Sequence, residues 1–154
     1  MPPSPRTLVL AQIALGDPSV APDGSHAVYT RRAARRDGYR RHVWVVPLDG
    51  GRARALTSGD VRDSGPRFDP PGGRVLFLRD DQVWAVPLAG GEPRVLTALA
   101  HGVAAFRLSA DGTRLALAAA VPETRFAVGV LTGDTPPLAR VVTRVDWRLD
   151  GSGV

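Results

Sequence analysis

The chain has 154 residues, a formal net charge of +5 and no Cys, which excludes a disulfide frame or a Cys-ligated zinc site. All 20 basic side chains are Arg, so the high pI overstates the case for nucleic acid, because a guanidinium does not deprotonate. No apolar run approaches the roughly 18 residues of a membrane span. The absence of Cys agrees with a cytoplasmic protein, which we take as the expectation. The 17 Gly and 14 Pro suit many short strands joined by tight turns.

In chain order, residues 1–15 form a lead-in. Thr7 to Leu15 is apolar behind a lone Arg6. A secretory signal needs a more basic start and a small-residue cleavage site, which Ile13-Ala14-Leu15-Gly16 matches poorly. The favoured reading is a short helix or strand entering the first repeat.

The first unit spans about 17–57. Its turn is Ala21-Pro22-Asp23-Gly24, followed by strands at Ser25–Thr30, His42–Pro47 and Arg52–Thr57. An Arg-rich insertion, Arg31 to Arg41, separates the second and third strands and reads as a solvated hairpin loop. The second unit, about 64–97, is the clearest. Pro66-Arg67-Phe68 is extended, Asp69 to Gly73 is a dense turn signal, and Arg74–Arg79 is rich in β-formers. Asp80-Asp81 makes a tight connection, and Gln82–Val86 ends at Pro87, which cannot donate to a ladder. Pro93–Thr97 is its fourth strand.

The third unit spans about 102–142. Val103–Leu108, the turn Ser109–Gly112 and Thr113–Ala118 are followed by Phe126–Leu131 and Leu138–Val142. This last half is degenerate and lacks the Trp. Leu115 to Val121 has helical character, but its place in the repeat argues for a strand. Residues 144–154 open a fourth element.

The units repeat with a period of roughly 40 residues. Val43-Trp44-Val45-Val46-Pro47-Leu48-Asp49-Gly50-Gly51 returns as Val83-Trp84-Ala85-Val86-Pro87-Leu88-Ala89-Gly90-Gly91, and Arg54-Ala55-Leu56-Thr57 as Arg94-Val95-Leu96-Thr97. Four short antiparallel strands in that length are the dimension of a propeller blade. The predicted fold is therefore all-β: residues 16–154 as a partial β-propeller of about three blades and the start of a fourth. Continuous apolar runs such as Val75-Leu76-Phe77-Leu78 fit strands buried on both faces. Trp44 and Trp84, at one repeat position, are expected to pack between blades.

The pattern P-x-x-x-P-D-G, a β run, V-W-x-V-x-L, x-G-G and R-x-L-T resembles the propeller repeats of Tol-type translocation proteins. It is also similar to the N-terminal propeller of the prolyl oligopeptidase family, especially its acylaminoacyl-peptidase branch. Gly16 to Gly24, the Arg-rich insertion before His42-Val43-Trp44, and Arg144 to Gly151 carry that second likeness. It implies a propeller that sits over an α/β-hydrolase domain and restricts substrate access by size. The sequence departs from the pattern in showing three of about seven blades and no hydrolase domain.

No catalytic, cofactor-binding or metal residue can be assigned. No Ser has Gly two residues before and after it, and Gly151-Ser152-Gly153 fails the nucleophile-elbow spacing. His26, His42 and His101 fall in separate units, without a recurring nucleophile, and read as structural. Asp23-Gly24 and Asp111-Gly112 are lone turns rather than cation loops, which need alternating carboxylates. The insertion holds six Arg and one Tyr, too little aromatic interleaving for a nucleic-acid site. In a whole peptidase it could face acidic substrate or the hydrolase domain.

The leading expectation is a non-catalytic propeller portion whose partners are a hydrolase domain and, in the parent family, a peptide substrate. The alternative is a stand-alone Tol-like interaction module that closes a ring by self-association. A nucleic-acid or membrane partner is not expected. Exposed blade faces leave large apolar side chains wet at about 1.5–3 kcal/mol apiece. Purified alone, the protein is therefore expected to oligomerise or bind a hydrophobic dye; sedimentation showing a monodisperse monomer that melts cooperatively contradicts this.

Overall fold

The computed structural model describes residues 5–69 and 73–120. A short helix, α1 (Pro5–Leu10), gives way to β1 (Ile13–Val20), β2 (His26–Arg35), β3 (Gly38–Pro47) and β4 (Arg54–Ala55), an antiparallel sheet in that order. A second sheet of the same order holds β5 (Ser64–Phe68), β6 (Arg74–Arg79), β7 (Gln82–Pro87) and β8 (Arg94–Val95). A third begins with β9 (Ala105–Leu108) and β10 (Leu115–Ala118). The described residues are thus all-β apart from α1, and their sheets are the blades of a partial propeller. The strands expected at Phe126–Leu131 and Leu138–Val142, and the element at 144–154, lie outside the described residues.

Two expectations are corrected. Arg31 to Arg41 is not a loop: β2 and β3 stay paired from Arg31↔His42 to Arg35↔Gly38, with Arg36-Asp37 as the turn. Pairing satisfies backbone groups that a loop leaves to water. The longer β2 also gives Ile13, Ala14 and Leu15 partners at Ala33, Arg32 and Arg31, so the end of the expected lead-in is already in the sheet.

The outermost strands are shorter than predicted, and just past their C-terminal ends a side chain joins the backbone in bonding the third strand. The hydroxyl of Thr57 accepts the Val43 N–H at 2.9 Å, and Thr97 accepts that of Val83 at 2.9 Å. This is the reason for the recurring Thr. The recurring Gly pair has a reason too. Gly50 and Gly90 sit at φ 101° and 105°, which L side chains rarely adopt. A Cβ on Gly51 would lie 2.7 Å from the Pro47 ring, so the turn folds flat on that Pro only without one.

Packing follows from the two-residue period of a strand. In the second sheet Val75, Phe77 and Val86 point one way and join Val28, Val43, Val45 and Leu56 of the first sheet in one buried cluster. Leu76, Val83 and Ala85 point the other way and join Val103 and Phe106 of the third. Phe77 is fully buried, and Trp84 packs on the first of these clusters. Trp44 occupies the same register position, since Tyr29↔Trp44 matches Phe77↔Trp84. By parity its ring lies on the face of the first sheet turned away from the second, where Ile13, Leu15 and Val20 are exposed.

The junction of the first two blades carries a buried charge. Asp63 is fully buried. Arg79 of β6 grips it with two bonds, Nε to Oδ1 at 2.7 Å and Nη2 to Oδ2 at 2.9 Å, and Thr57 donates its hydroxyl to Oδ2. The Asp63 N–H reaches Arg41 O at 2.9 Å, just as the N–H of Val103 reaches Asp81 O at 2.7 Å. Val103 is thus the repeat counterpart of Asp63, and the next junction is apolar.

Removing one partner of such a pair leaves the other charge buried, at a cost of about 3–5 kcal/mol. Asp63→Ala is expected to lose that much in urea unfolding, whereas Asp63→Val with Arg79→Met recovers most of it. A double variant no more stable than Asp63→Ala overturns this account.

Candidate functional site

The three His residues are placed apart. His42 Nε2 lies 2.9 Å from Gly59 O, and in the next blade the Gln82 amide nitrogen donates to Leu99 O at the same 2.9 Å. A neutral amide does the same work, so this His is structural. His101 is exposed and makes no hydrogen bond or ion pair among the described residues.

His26 has a Ser neighbour: its Nδ1 lies 2.8 Å from Ser25 Oγ. The order is wrong for a triad, in which the carboxylate orients the His. Here Ser25 donates its hydroxyl proton to Asp23 Oδ1 at 2.7 Å, so the ring nitrogen must be the donor to Ser25. The group is an exposed turn network.

The two Asp-Gly turns are filled by their own local donors. Asp23 accepts the Ser25 N–H at 3.0 Å as well as its hydroxyl, and that backbone bond leads in holding its carboxyl below the ordinary value. Asp111 accepts the Ser109 hydroxyl, the Thr113 N–H at 3.0 Å and the Thr113 hydroxyl at 2.8 Å. The Ser109 bond is the largest cause of its pKa falling to about 2. Bonds to the ionised form favour it, which accounts for the direction. Ser152 lies outside the described residues.

The Arg hairpin is only partly free. Arg31 lies over the Trp44 ring at 4.6 Å, where its counterpart Arg79 covers Trp84 at 5.2 Å. Arg32 covers the Tyr39 ring at 5.0 Å. Arg40 is held between Asp37, at 2.7 Å, and Asp60. That bond from Arg40 is the main reason the Asp37 carboxyl is depressed. Arg35, Arg36 and Arg41 make no close ion pair among the described residues. The hairpin's own ring, Tyr39, which could stack on a base, is already covered.

A feature that the repeat pattern hides lies at the first strands. β1 lies against β5, and in a propeller the blades surround a central channel. An open cleft of about 190 Å³ is lined by Ser19 and Val20 of β1, Arg67 and Phe68 of β5, and Arg107 and Leu108 of β9. These are the same two repeat positions taken three times: Ser19, Arg67 and Arg107 at one, Val20, Phe68 and Leu108 at the next. Turn bonds fix the register. Ala21 N–H reaches His26 O, Asp69 N–H reaches Arg74 O and Ser109 N–H reaches Arg114 O, at 2.8, 3.0 and 3.0 Å.

The β-bulges align as well: Asp17 and Gly65 sit at φ 50° and 56°, each just before the Pro that precedes the cleft position. Bulges aim side chains, and here they set the turn of the strand ahead of each one. Aligning the three first strands reveals the two Arg. The repeats that stand out in the sequence are those of the third and fourth strands, which hid this signal.

No family model matches the protein. Over 74 residues, 47% of its length, it is 30% identical to "Uncharacterized peptidase YuxL" of Bacillus subtilis (strain 168). Its fold is similar to that of TolB from Acinetobacter baumannii, with a TM-score of 0.56 and 27% identity over 66% of its length. It spans 11% of the length of that peptidase-named relative and 26% of that TolB structure. A propeller fold with distant likeness to both is what these matches support. No helix among the described residues is long and apolar enough to cross a membrane.

The Asp111 turn has a measurable signature. Its depressed pKa means that any stabilisation is complete above the ordinary carboxylate value of 3.8 and is lost as pH falls toward 2. Carboxyl-carbon NMR is expected to show Asp111 titrating near 2, and Ser109→Ala is expected to move it up toward 3.8. An unmoved midpoint in Ser109→Ala overturns the assignment of the cause.

Proposed function

We propose that this protein is the non-catalytic propeller portion of an oligopeptide-hydrolysing protein of the acylaminoacyl-peptidase type. In it the propeller restricts access to a hydrolase domain that lies beyond these residues. The observation that carries the reading is the stretch 30% identical to a peptidase-named protein, falling on a propeller whose first strands frame an open, Arg-bearing cleft. A blade packed through buried clusters on both faces, as the second one is, makes a stiff wall, which is what a size filter requires. The reaction itself belongs to the hydrolase domain: acyl transfer needs a nucleophile, a base and an oxyanion hole. The Ser25–His26 pair of the described residues is a turn network and supplies none of these. A cytoplasmic location and an oligopeptide substrate belong to this proposal.

A second reading is favoured by the likeness to TolB over two thirds of the sequence. In it the propeller is an interaction module, and the apolar face bearing Ile13, Leu15 and Val20 is covered by another blade, of the same molecule or of a second copy. Neither reading uses nucleic acid: three of the hairpin's Arg are committed to Trp44, Tyr39 and the Asp37–Asp60 pair.

Reading the coding frame past Val154 separates the two. More blades followed by G-x-S-x-G, then Asp and His, are expected. A frame that completes a propeller and stops without that motif overturns the peptidase reading in favour of the interaction module.

A further inference from the structure

The cleft at the ends of β1, β5 and β9 holds two Arg side chains that no acid partners among the described residues. Arg67 is half-buried, yet its guanidinium meets only the carbonyl of Pro66, at 2.8 Å, among the described residues. Arg107, one repeat later, is exposed and makes the same contact: there it meets only the carbonyl of Phe106, at 2.8 Å. Neither has a carboxylate partner among the described residues, although acids pair with other Arg side chains of the first two sheets. Each Arg thus lies folded back on its own strand, with donors left over. A guanidinium has five, and one is used.

Beside these two cations lie Val20, Phe68 and Leu108, the apolar set of the next repeat position. The cleft therefore offers planar cationic forks next to an aliphatic and aromatic surface. At about 190 Å³ it is smaller than the roughly 300–1,000 Å³ of sites for drug-sized ligands. It has room for one residue of a longer peptide, with the rest of that peptide left in the open mouth.

We propose that this cleft binds the carboxylate of one residue of an oligopeptide, with Arg67 and Arg107 as its paired donors and Phe68 and Leu108 against the aliphatic part of that residue. A carboxylate is planar and matches the two-pronged guanidinium, and a short aliphatic stem fits the apolar positions beside it. The carboxylate can come from the C-terminus of the peptide or from an Asp or Glu side group within it. Single-stranded nucleic acid fits less well, because base stacking needs aromatic platforms and Phe68 is the only aromatic side chain among the described residues lining the cleft. Ser19 takes the Arg position in the first blade, so the cationic pair is set to one side of the cleft and gives a bound peptide a direction. The inference rests on the proposed function for its class of ligand only.

The test is calorimetric titration of the full 154-residue protein with three peptides: N-acetyl-trialanine acid, N-acetyl-Ala-Glu-Ala amide and N-acetyl-trialanine amide. One or both acids are expected to bind about tenfold or more tightly than the neutral amide, and which acid does so identifies the source of the carboxylate. Arg67→Gln and Arg107→Gln are each expected to remove most of that preference without moving the melting temperature. Arg67→Lys keeps the charge without the fork and should restore only part of it.

In the unaltered protein, the Nε–H resonances of Arg67 and Arg107 should shift on titration with acid and stay put with amide, which tests the site without any variant. Equal binding of all three peptides overturns the proposal. So does tighter binding of a single-stranded oligothymidylate that the acids fail to displace. A coding frame without a hydrolase would remove the peptidase reading and leave carboxylate binding standing; loss of acid preference beside an intact hydrolase frame removes this inference alone.

Discussion

A four-stranded antiparallel sheet of this size has two apolar faces and no helix to cover either, so it is stable only between neighbours. That constraint organises the described residues. Val75, Phe77 and Val86 face the first sheet while Leu76, Val83 and Ala85 face the third, so the second sheet is buried on both sides. Strand alternation makes this possible at no cost in register: one hydrophobic run serves two interfaces, odd residues for one and even residues for the other. It also makes the blades interdependent, since each face is completed only by the adjoining repeat.

Within that shared plan the two junctions are built differently. The first closes on Asp63, held by Arg79 and Thr57, and the second closes on Val103 at the same repeat position. A buried ion pair is weak evidence for stability, since an apolar replacement of similar volume is often as good. Its geometry is more demanding, though. Two bonds from one guanidinium fix the angle between β6 and the linker that carries Asp63, whereas Val103 packs with little preference for direction.

Function is sought where equivalent positions diverge. Third-strand positions repeat almost unchanged because they serve packing: Trp44 and Trp84 share a register, and each is covered by an Arg at one position of the preceding strand. First-strand ends repeat in backbone but differ in side chain, Ser19 against Arg67 and Arg107. The bulge before Ser19 and Arg67 is kept, so the aim is constant and the chemistry varies. Loop-like variability on a rigid scaffold is the usual signature of a binding surface. The Arg hairpin is the opposite case: conspicuous in composition, yet three of its Arg are spent on Trp44, Tyr39 and two Asp carboxylates.

Much of the fold was legible in the residues themselves. The echo of Val43–Gly51 in Val83–Gly91, the alternating apolar runs and the Pro and Gly turns determine short strands, their order and a blade-sized repeat, because these are local properties of backbone sterics and strand period. The Asp80-Asp81 turn and the end of β7 at Pro87 follow from the same local rules. What the tertiary structure alone decided is which residues meet across blades. Asp63 and Arg79 stand in different stretches of sequence with nothing in their neighbours to mark them as partners, and Arg67 and Arg107 become one cleft only when three first strands lie side by side. Nor could composition tell that Arg31 to Arg41 continues a ladder instead of a loop, since polar residues on an exposed hairpin carry no apolar period to announce it. Local sterics write the strands into the sequence; contacts between distant residues depend on how the sheets stack, and that is set by shape and burial summed over whole faces.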